Sequence, residues 1–500
     1  MEMIFEALRQ MATLEVVVVM LLASAYGLTM GAIPGLTASM AVALVIPIAF
    51  FMDPIPALAG VMTLSAMAIF AGDLPAALLR IPGTPASAAY VDDAYLMVRK
   101  GQGGLALGLC VICSAIGGVV GALVLMGASP SIARFALQFS SYEKFWLACL
   151  GLTAAIAVSS GKWYKGGISL MLGLAVAQVG LDPVSGQARL TFGNGDLIGG
   201  LAFVPVLIGM FAMPEVLRYA LARREMQPPP IQAIGNVLAG VGATLRRLKG
   251  DLVQGSVVGV VIGVIPGAGA DIAAYISYAI SKRFSKVGAK FGTGVPDGLV
   301  SATTSNNSAV GGALIPATVF GIPGDSLTAI IIGVFFLKGL NPGPTVFIEN
   351  AVLINTVFIS FLIANILMVP MGLLAISVFQ RVIRVPRYML MPSVLAFCIL
   401  GAFAVENTQF AVMTMLLLGI VAFIMEKYGY PLAPAILGLV LGPMLEETFL
   451  NSLIRARGDL TAFVQRPISL TLALMTLVIC LTPLVLYLWR KATAARVQAT

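Results

Sequence analysis

From Leu14 almost to Trp489 the chain returns again and again to apolar runs long enough to cross the hydrocarbon core of a bilayer, about 30 Å. Inside hydrocarbon every backbone N–H and C=O needs a partner within the protein, which leaves only helices and closed barrels. No alternation of apolar and polar residues over ~10-residue segments suggests a barrel, so the expected class is an all-α polytopic membrane protein. Dividing the runs at charges and at Pro/Gly breaks predicts about 12 transmembrane segments, some of them broken helices or re-entrant hairpins. The composition agrees: 59% of residues are hydrophobic, only 10% are charged, and the mean hydropathy is +0.99.

Several function classes drop out early. The net charge of +8 is spread over short loops and builds no basic face, so no nucleic-acid partner is expected, and positive-inside topology accounts for the cations. The absence of histidine removes His-based metal sites, Ser-His triads and histidine proton relays together. Cys110 and Cys113 form a CxxC on an apolar helix with no redox-fold context, which reads as buried small hydrophobes. Val16–Ala25 ends like a signal peptide, but Glu2, Glu6 and Glu15 argue for a first membrane helix.

The chain then repeats itself. GAIPG at 31–35 and LLRIPGTPAS at 78–87 have counterparts in GVIPG at 263–267 and VFGIPGDSLT at 319–328. This suggests a first membrane repeat over 11–222, a cytoplasmic linker over 223–250 with PPP and RRLK, a second repeat over 251–465, and a C-terminal transmembrane helix over 466–490. The loop after GAIPG carries no Lys or Arg, whereas that after GVIPG carries Lys282, Arg283, Lys286 and Lys290. After the second break the contrast reverses, with Arg99 and Lys100 in the first half and Lys338 offset by Glu349 in the second. Corresponding loops therefore face opposite sides, the pattern of an inverted-topology repeat.

Proline removes a donor and glycine lets the backbone turn or approach a ligand, so four such breaks at membrane depth mark a polar interior. A broken helix also presents free N–H groups and a positive dipole end, which suits an anion. The expected substrate site takes Gly31, Pro34, Gly35, Thr37 and Ser39 from the first break, and Pro82, Gly83, Thr84 and Ser87 from the second. Pro266, Gly267 and Gly269 come from the third, and Pro323, Gly324 and Ser326 from the fourth. Between the last two lies SATTSNNSAVGG, where Thr303 to Ser308 are six consecutive polar side chains. Close helix packing explains scattered small residues but accounts poorly for that run. Ser305, Asn306 and Asn307 are therefore assigned to substrate, and Thr303, Thr304 and Asn306 to a coupling ion, since hydroxyls and amides bind cations without fixed charge.

Ionisable residues within apolar segments complete the expected set. Asp73, Asp271 and Asp325 are candidate coupling-ion ligands. Arg80, directly before the second break, is a candidate bidentate partner of a substrate carboxylate, with snorkelling to the interface as the alternative. Asp92 and Asp93 read as part of a solvated loop.

Taken together, GAIPGL, IPGTPAS with the following GLALG, GLDPVSGQARLTFG at 180–193, GVIPGAGA, Asn306-Asn307 with GGALIP, GIPG and LNPGP resemble the large permease subunit of tripartite tricarboxylate transporters. The resemblance implies a multi-pass bacterial inner-membrane permease working with a small four-helix membrane subunit and a periplasmic solute-binding protein. It also implies uptake of a small organic anion coupled to Na⁺ or H⁺, with no other cofactor. Asp73, Arg80, Asp271 and Asp325 are charged where that family is expected to carry uncharged residues, and Ala302-Thr303 replaces a Pro-Glu-like pair. An ion channel using the same breaks as a filter is the alternative; an enzyme is not expected, because no nucleophile with a base and no metal cluster is found.

Overall fold

The computed structural model describes residues 2–33, 36–158, 163–182, 185–221, 234–382 and 387–481. Pro34 and Gly35, residues 223–233 of the expected linker, and 482–490 of the expected last helix lie outside the described residues. Helices dominate, and a two-stranded hairpin pairing Gly180–Leu181 with Ala188–Arg189 is the only sheet among the described residues.

Seven described helices are long and apolar enough to cross a membrane: Leu14–Ala32, Pro54–Leu79, Val91–Ala136, Phe203–Leu221, Ala351–Val378, Gln409–Lys427 and Leu432–Arg455. Four shorter apolar helices accompany them, Ala38–Phe51, Ser326–Leu337, Met391–Glu406 and Pro467–Leu481. At 1.5 Å per residue the 14-residue Ala38–Phe51 and the 12-residue Ser326–Leu337 fall well short of a ~30 Å core. Each begins directly after a Gly/Pro break.

The contacts divide the chain into two compact units that do not follow the halves of the sequence. The first contains Met1–Arg134, Phe203–Val264 and Ala268–Phe423, and so draws on both halves. At its centre lies the Pro296–Phe320 helix, in which every residue from Asp297 to Val319 is buried. So polar a segment can lie at membrane depth only where protein encloses it, and the packing shows how this one is enclosed. Gly255, Gly259 and Gly263 form a stripe on the Lys249–Gly263 helix that lies against the backbone of Ser301, Ser305 and Ala309. A Cβ at Gly259 would fall 2.5 Å from the Ser305 carbonyl oxygen. From another side Gly117 and Gly121 of the Gly103–Ala136 helix approach Thr304 and Ser308 equally closely. Small residues at every fourth position let backbones touch, and dispersion then holds the trio in an apolar solvent. The N-terminal Glu2–Met11 helix packs Ala7 and Met11 against Val16, Met20, Ala59 and Ile359 of the same unit.

The second unit contains Phe135–Ala202, Ile265–Gly267 and the chain from Ile424 onward. Gly173 and Gly438 bring the Trp163–Ala177 and Leu432–Arg455 helices into backbone contact. The hairpin is tied to the latter by Arg189, whose guanidinium donates to both carboxylate oxygens of Glu446 at 2.5 and 3.0 Å. Glu143 is buried and accepts from Ser140 N (2.8 Å), Ser469 Oγ (2.6 Å) and Arg466 (3.1 Å).

Candidate functional site

Within the first unit the broken segments meet. The Ala38–Phe51 and Ser326–Leu337 helices start side by side, with Ser39 Oγ and Ser326 Oγ 3.1 Å apart. Thr37 caps the first of these helices by accepting from Met40 N at 3.1 Å. Asp325 caps the second in a full capping box with Thr328, at 2.8 Å from Thr328 N. Two helix N-termini thus converge on one spot, and their free N–H groups and dipole ends favour negative charge there.

The chain from Gly269 to Asp271, which lies in the same unit, and the second break join them. Asp271 Oδ1 accepts from Ala86 N at 3.1 Å, linking the third break to the second. A Cβ on Gly269, which has φ 58°, would fall 2.6 Å from Asp325 Cβ, and Gly324 lies equally close to Ala313. Asp271 and Asp325 are within electrostatic reach of each other. Pro323 and Gly324 are buried, whereas Pro82 is exposed. Gly83 packs against Gly72 and donates its N–H to the Gly72 carbonyl at 3.2 Å. Thr84 and Ser87 satisfy one another in a local turn, with Ser87 Oγ 2.8 Å from Thr84 O. Gly31 packs against the Ala68 carbonyl, a helix-packing contact. Pro266 and Gly267 are counted with the second unit, where a Cβ on Gly267 would lie 2.5 Å from Ala155 Cα.

The run of six polar residues separates into two kinds. Thr303 and Thr304 bond back to Leu299 O and Val300 O, each at 2.7 Å, which uses their protons but leaves lone pairs. Ser308 Oγ donates to Ser256 O at 2.8 Å and ties two helices together. Asn307 Nδ2 donates to Ser114 O (3.1 Å) and Asn365 Oδ1 (2.8 Å). By contrast Ser305 Oγ, both polar atoms of Asn306 and Asn307 Oδ1 are buried without a hydrogen-bond partner. A buried polar atom left bare costs about 1–3 kcal/mol, so such a concentration on one helix turn calls for a ligand.

Asp73 belongs to the same neighbourhood. It is fully buried, its Oδ1 accepts from the Tyr90 hydroxyl, and its Oδ2 is bare. Asn306 faces Tyr90, and Cys110 lies within electrostatic reach of Asp73. Arg80 does not join this cluster. It ends the Asp73–Leu79 helix in the left-handed region (φ 59°), is 59% exposed, and pairs with Asp92 at 2.8 Å over the Tyr95 ring. Asp73 and Arg80, seven residues apart, therefore point into opposite surroundings.

Asp93 corrects the expectation of a solvated loop. It is fully buried and accepts from Gly292 N (3.0 Å), Gly294 N (2.7 Å), Val295 N (3.1 Å) and Tyr278 Oη (2.7 Å), anchoring the entry to the polar helix. Tyr90 and Asn365 were also missed. An asparagine in the middle of the apolar stretch from Phe361 to Met368 of the Ala351–Val382 helix was the available signal for the second.

With this geometry in place, comparison with known proteins is decisive. A model of the "Tripartite tricarboxylate transporter TctA family" matches residues 17–437. The chain belongs to this family. It is a family of transporters and not of enzymes, and its members work with other subunits and a binding protein. A relative from Agrobacterium vitis, described as an uncharacterized 52.8 kDa protein in the TAR-I ttuC' 3' region, is 33% identical over 460 residues, 91% of each chain. Another from the same organism, an uncharacterized protein in the TAR-II ttuC' 3' region, is 35% identical over 193 residues, 38% of this chain and 80% of its own. No solved structure matches. The TctA assignment and the apolar helices together make this a multi-pass membrane transporter.

Proposed function

We propose that the chain is the large permease subunit of a binding-protein-dependent secondary transporter that takes up a small organic anion, a tricarboxylate or another carboxylate. The observation that carries this reading is the meeting of two helix N-termini at Ser39 and Ser326. One carboxylate of the substrate is received there by backbone N–H groups and the two hydroxyls. Asp325 and Asp271 place negative charge beside the same spot, so an anion enters with a cation, as a symporter requires. Na⁺ or H⁺ is the coupling ion, drawn to the oxygen ligands among Asp73, Asp271, Thr303, Thr304, Asn306 and Asp325. Alternating access comes from one bundle moving against a scaffold in an inverted-repeat architecture. The partners are a small four-helix membrane subunit and a periplasmic solute-binding protein, and the site of action is the bacterial inner membrane.

The test is uptake into proteoliposomes containing this chain and its small partner, with the cognate binding protein and radiolabelled citrate, tartrate and succinate, under a Na⁺ or a pH gradient imposed separately. Concentrative uptake requiring the binding protein and one gradient is expected. Downhill flux without the binding protein would overturn the reading in favour of a channel.

A further inference from the structure

Asp73 poses a problem of charge. It is completely enclosed, and no described ion pair reaches it, since the nearby Arg80 is taken by Asp92. Tyr90 gives its Oδ1 one hydrogen bond but no positive charge. A carboxylate removed from water with a single neutral donor is strongly disfavoured unless it takes up a proton or a cation accompanies it.

The surroundings say what that cation is. Asp73 Oδ2 and Asn306 Oδ1 are bare oxygens in the same buried cluster. Asp73 also stands at a helix break. Gly72 ends the Pro54–Ala71 helix, its carbonyl accepting from Gly83 N, and Pro75 has no N–H to give the Ala71 carbonyl four residues back. The bare donors are therefore a carboxylate and an amide oxygen, both hard, which suit an alkali cation better than a soft transition metal. Cys110 and Cys113 are the other titratable groups within reach of Asp73, besides Tyr90. Among the described residues no group of Cys, Asp and Glu is arranged to hold a metal through thiolates.

We infer that Asp73 Oδ2 and Asn306 Oδ1 hold a Na⁺ between them, in a site where Tyr90 fixes the Asp73 carboxylate by holding its other oxygen. The inference deepens the permease reading and rests on it: this is where the coupling ion is carried, while the Asp271 and Asp325 carboxylates serve the substrate side. One Na⁺ balances the one charge of Asp73. Asn306 lies on the central polar helix and Asp73 beside the second break, so an ion held between them joins the two elements only when it is bound.

The experiment is binding of radiolabelled Na⁺ to the purified full-length chain in lipid nanodiscs, with no substrate or binding protein added. Saturable binding that excess Na⁺ displaces and K⁺ does not is expected, with loss in Asp73→Asn and in Asn306→Ala. Tyr90→Phe binds several-fold more weakly, and Asp92→Asn, at an exposed carboxylate outside the site, binds as wild type. Each variant is checked by gel filtration, and if Asp73→Asn does not fold, Asn306→Ala decides. Absence of saturable Na⁺ binding by the wild type, or unchanged binding in Asn306→Ala, overturns the site. Uptake driven by a pH gradient with no Na⁺ binding overturns the site and leaves the permease reading standing. Na⁺ binding without uptake of any carboxylate supports the site and removes the permease reading.

Discussion

Ser39 and Ser326, 287 positions apart in the chain, stand with their hydroxyl oxygens 3.1 Å from one another, each in the first turn of a helix too short to cross a bilayer. Replacing both by cysteine places two thiols close enough to be joined by oxidation. If the two helix N-termini separate during the transport cycle, the oxidised Ser39→Cys/Ser326→Cys chain loses uptake and regains it on reduction. Full activity of the crosslinked chain would show that these helices move as one piece.

Gly259 sits in the middle of the glycine stripe that faces the polar helix. A Cβ there meets the Ser305 carbonyl at 2.5 Å, and the neighbour is backbone that cannot rotate away. Gly259→Val is expected to destabilise the protein by about 1–3 kcal/mol, the range for overpacking a close interface. Thermal unfolding in detergent reads the effect, and an unchanged midpoint would mean that the helices part easily.

Asp93 receives three main-chain N–H groups and a tyrosine hydroxyl. Asp93→Ala leaves those donors without a partner and costs about 3 kcal/mol, whereas Asp93→Asn keeps one acceptor and costs less. Limited proteolysis should show cleavage around 285–295 in the alanine variant before any other site.

The Arg80–Asp92 pair is the counter-example. Both side chains are more than half exposed, at 59% and 52%, so solvent screens the attraction and a double-mutant cycle is expected to give less than about 1 kcal/mol. A larger coupling, or loss of uptake in Arg80→Gln at unchanged stability, would return Arg80 to the transport site.

Within the polar run, Thr303→Val removes a hydroxyl whose proton is spent on the Leu299 carbonyl, and Asn307→Ala removes a bridge to Ser114 and Asn365. The first is expected to change stability by no more than about 1 kcal/mol, and the second to destabilise by about 1–3 kcal/mol. Equal effects on unfolding temperature would contradict the distinction between a hydroxyl bonded within its own helix and an amide that bridges to other helices.

The sequence revealed the breaks because Pro and Gly within an apolar run have few other uses, and it revealed the polar run because six such residues at membrane depth have no cheap packing explanation. It did not reveal which of the six are free, since that depends on Ser256, Ser114 and Asn365 in other parts of the chain. Hydropathy also failed to separate spans from half-spans. Ala38–Phe51 is as apolar as a spanning helix but stops at 14 residues, so the expected 12 segments become seven long helices and four short ones among the described residues. Asp93 read as solvated because its partners, Gly292 to Val295, come from the other half of the sequence.

That separation matters for the order of synthesis. The amides that receive Asp93 are made 199 residues and more after it, so a nascent chain carries this carboxylate uncovered through the insertion of several helices. Asp93 finds these partners only when that loop has been made, so the last contact of the first half is completed by the second.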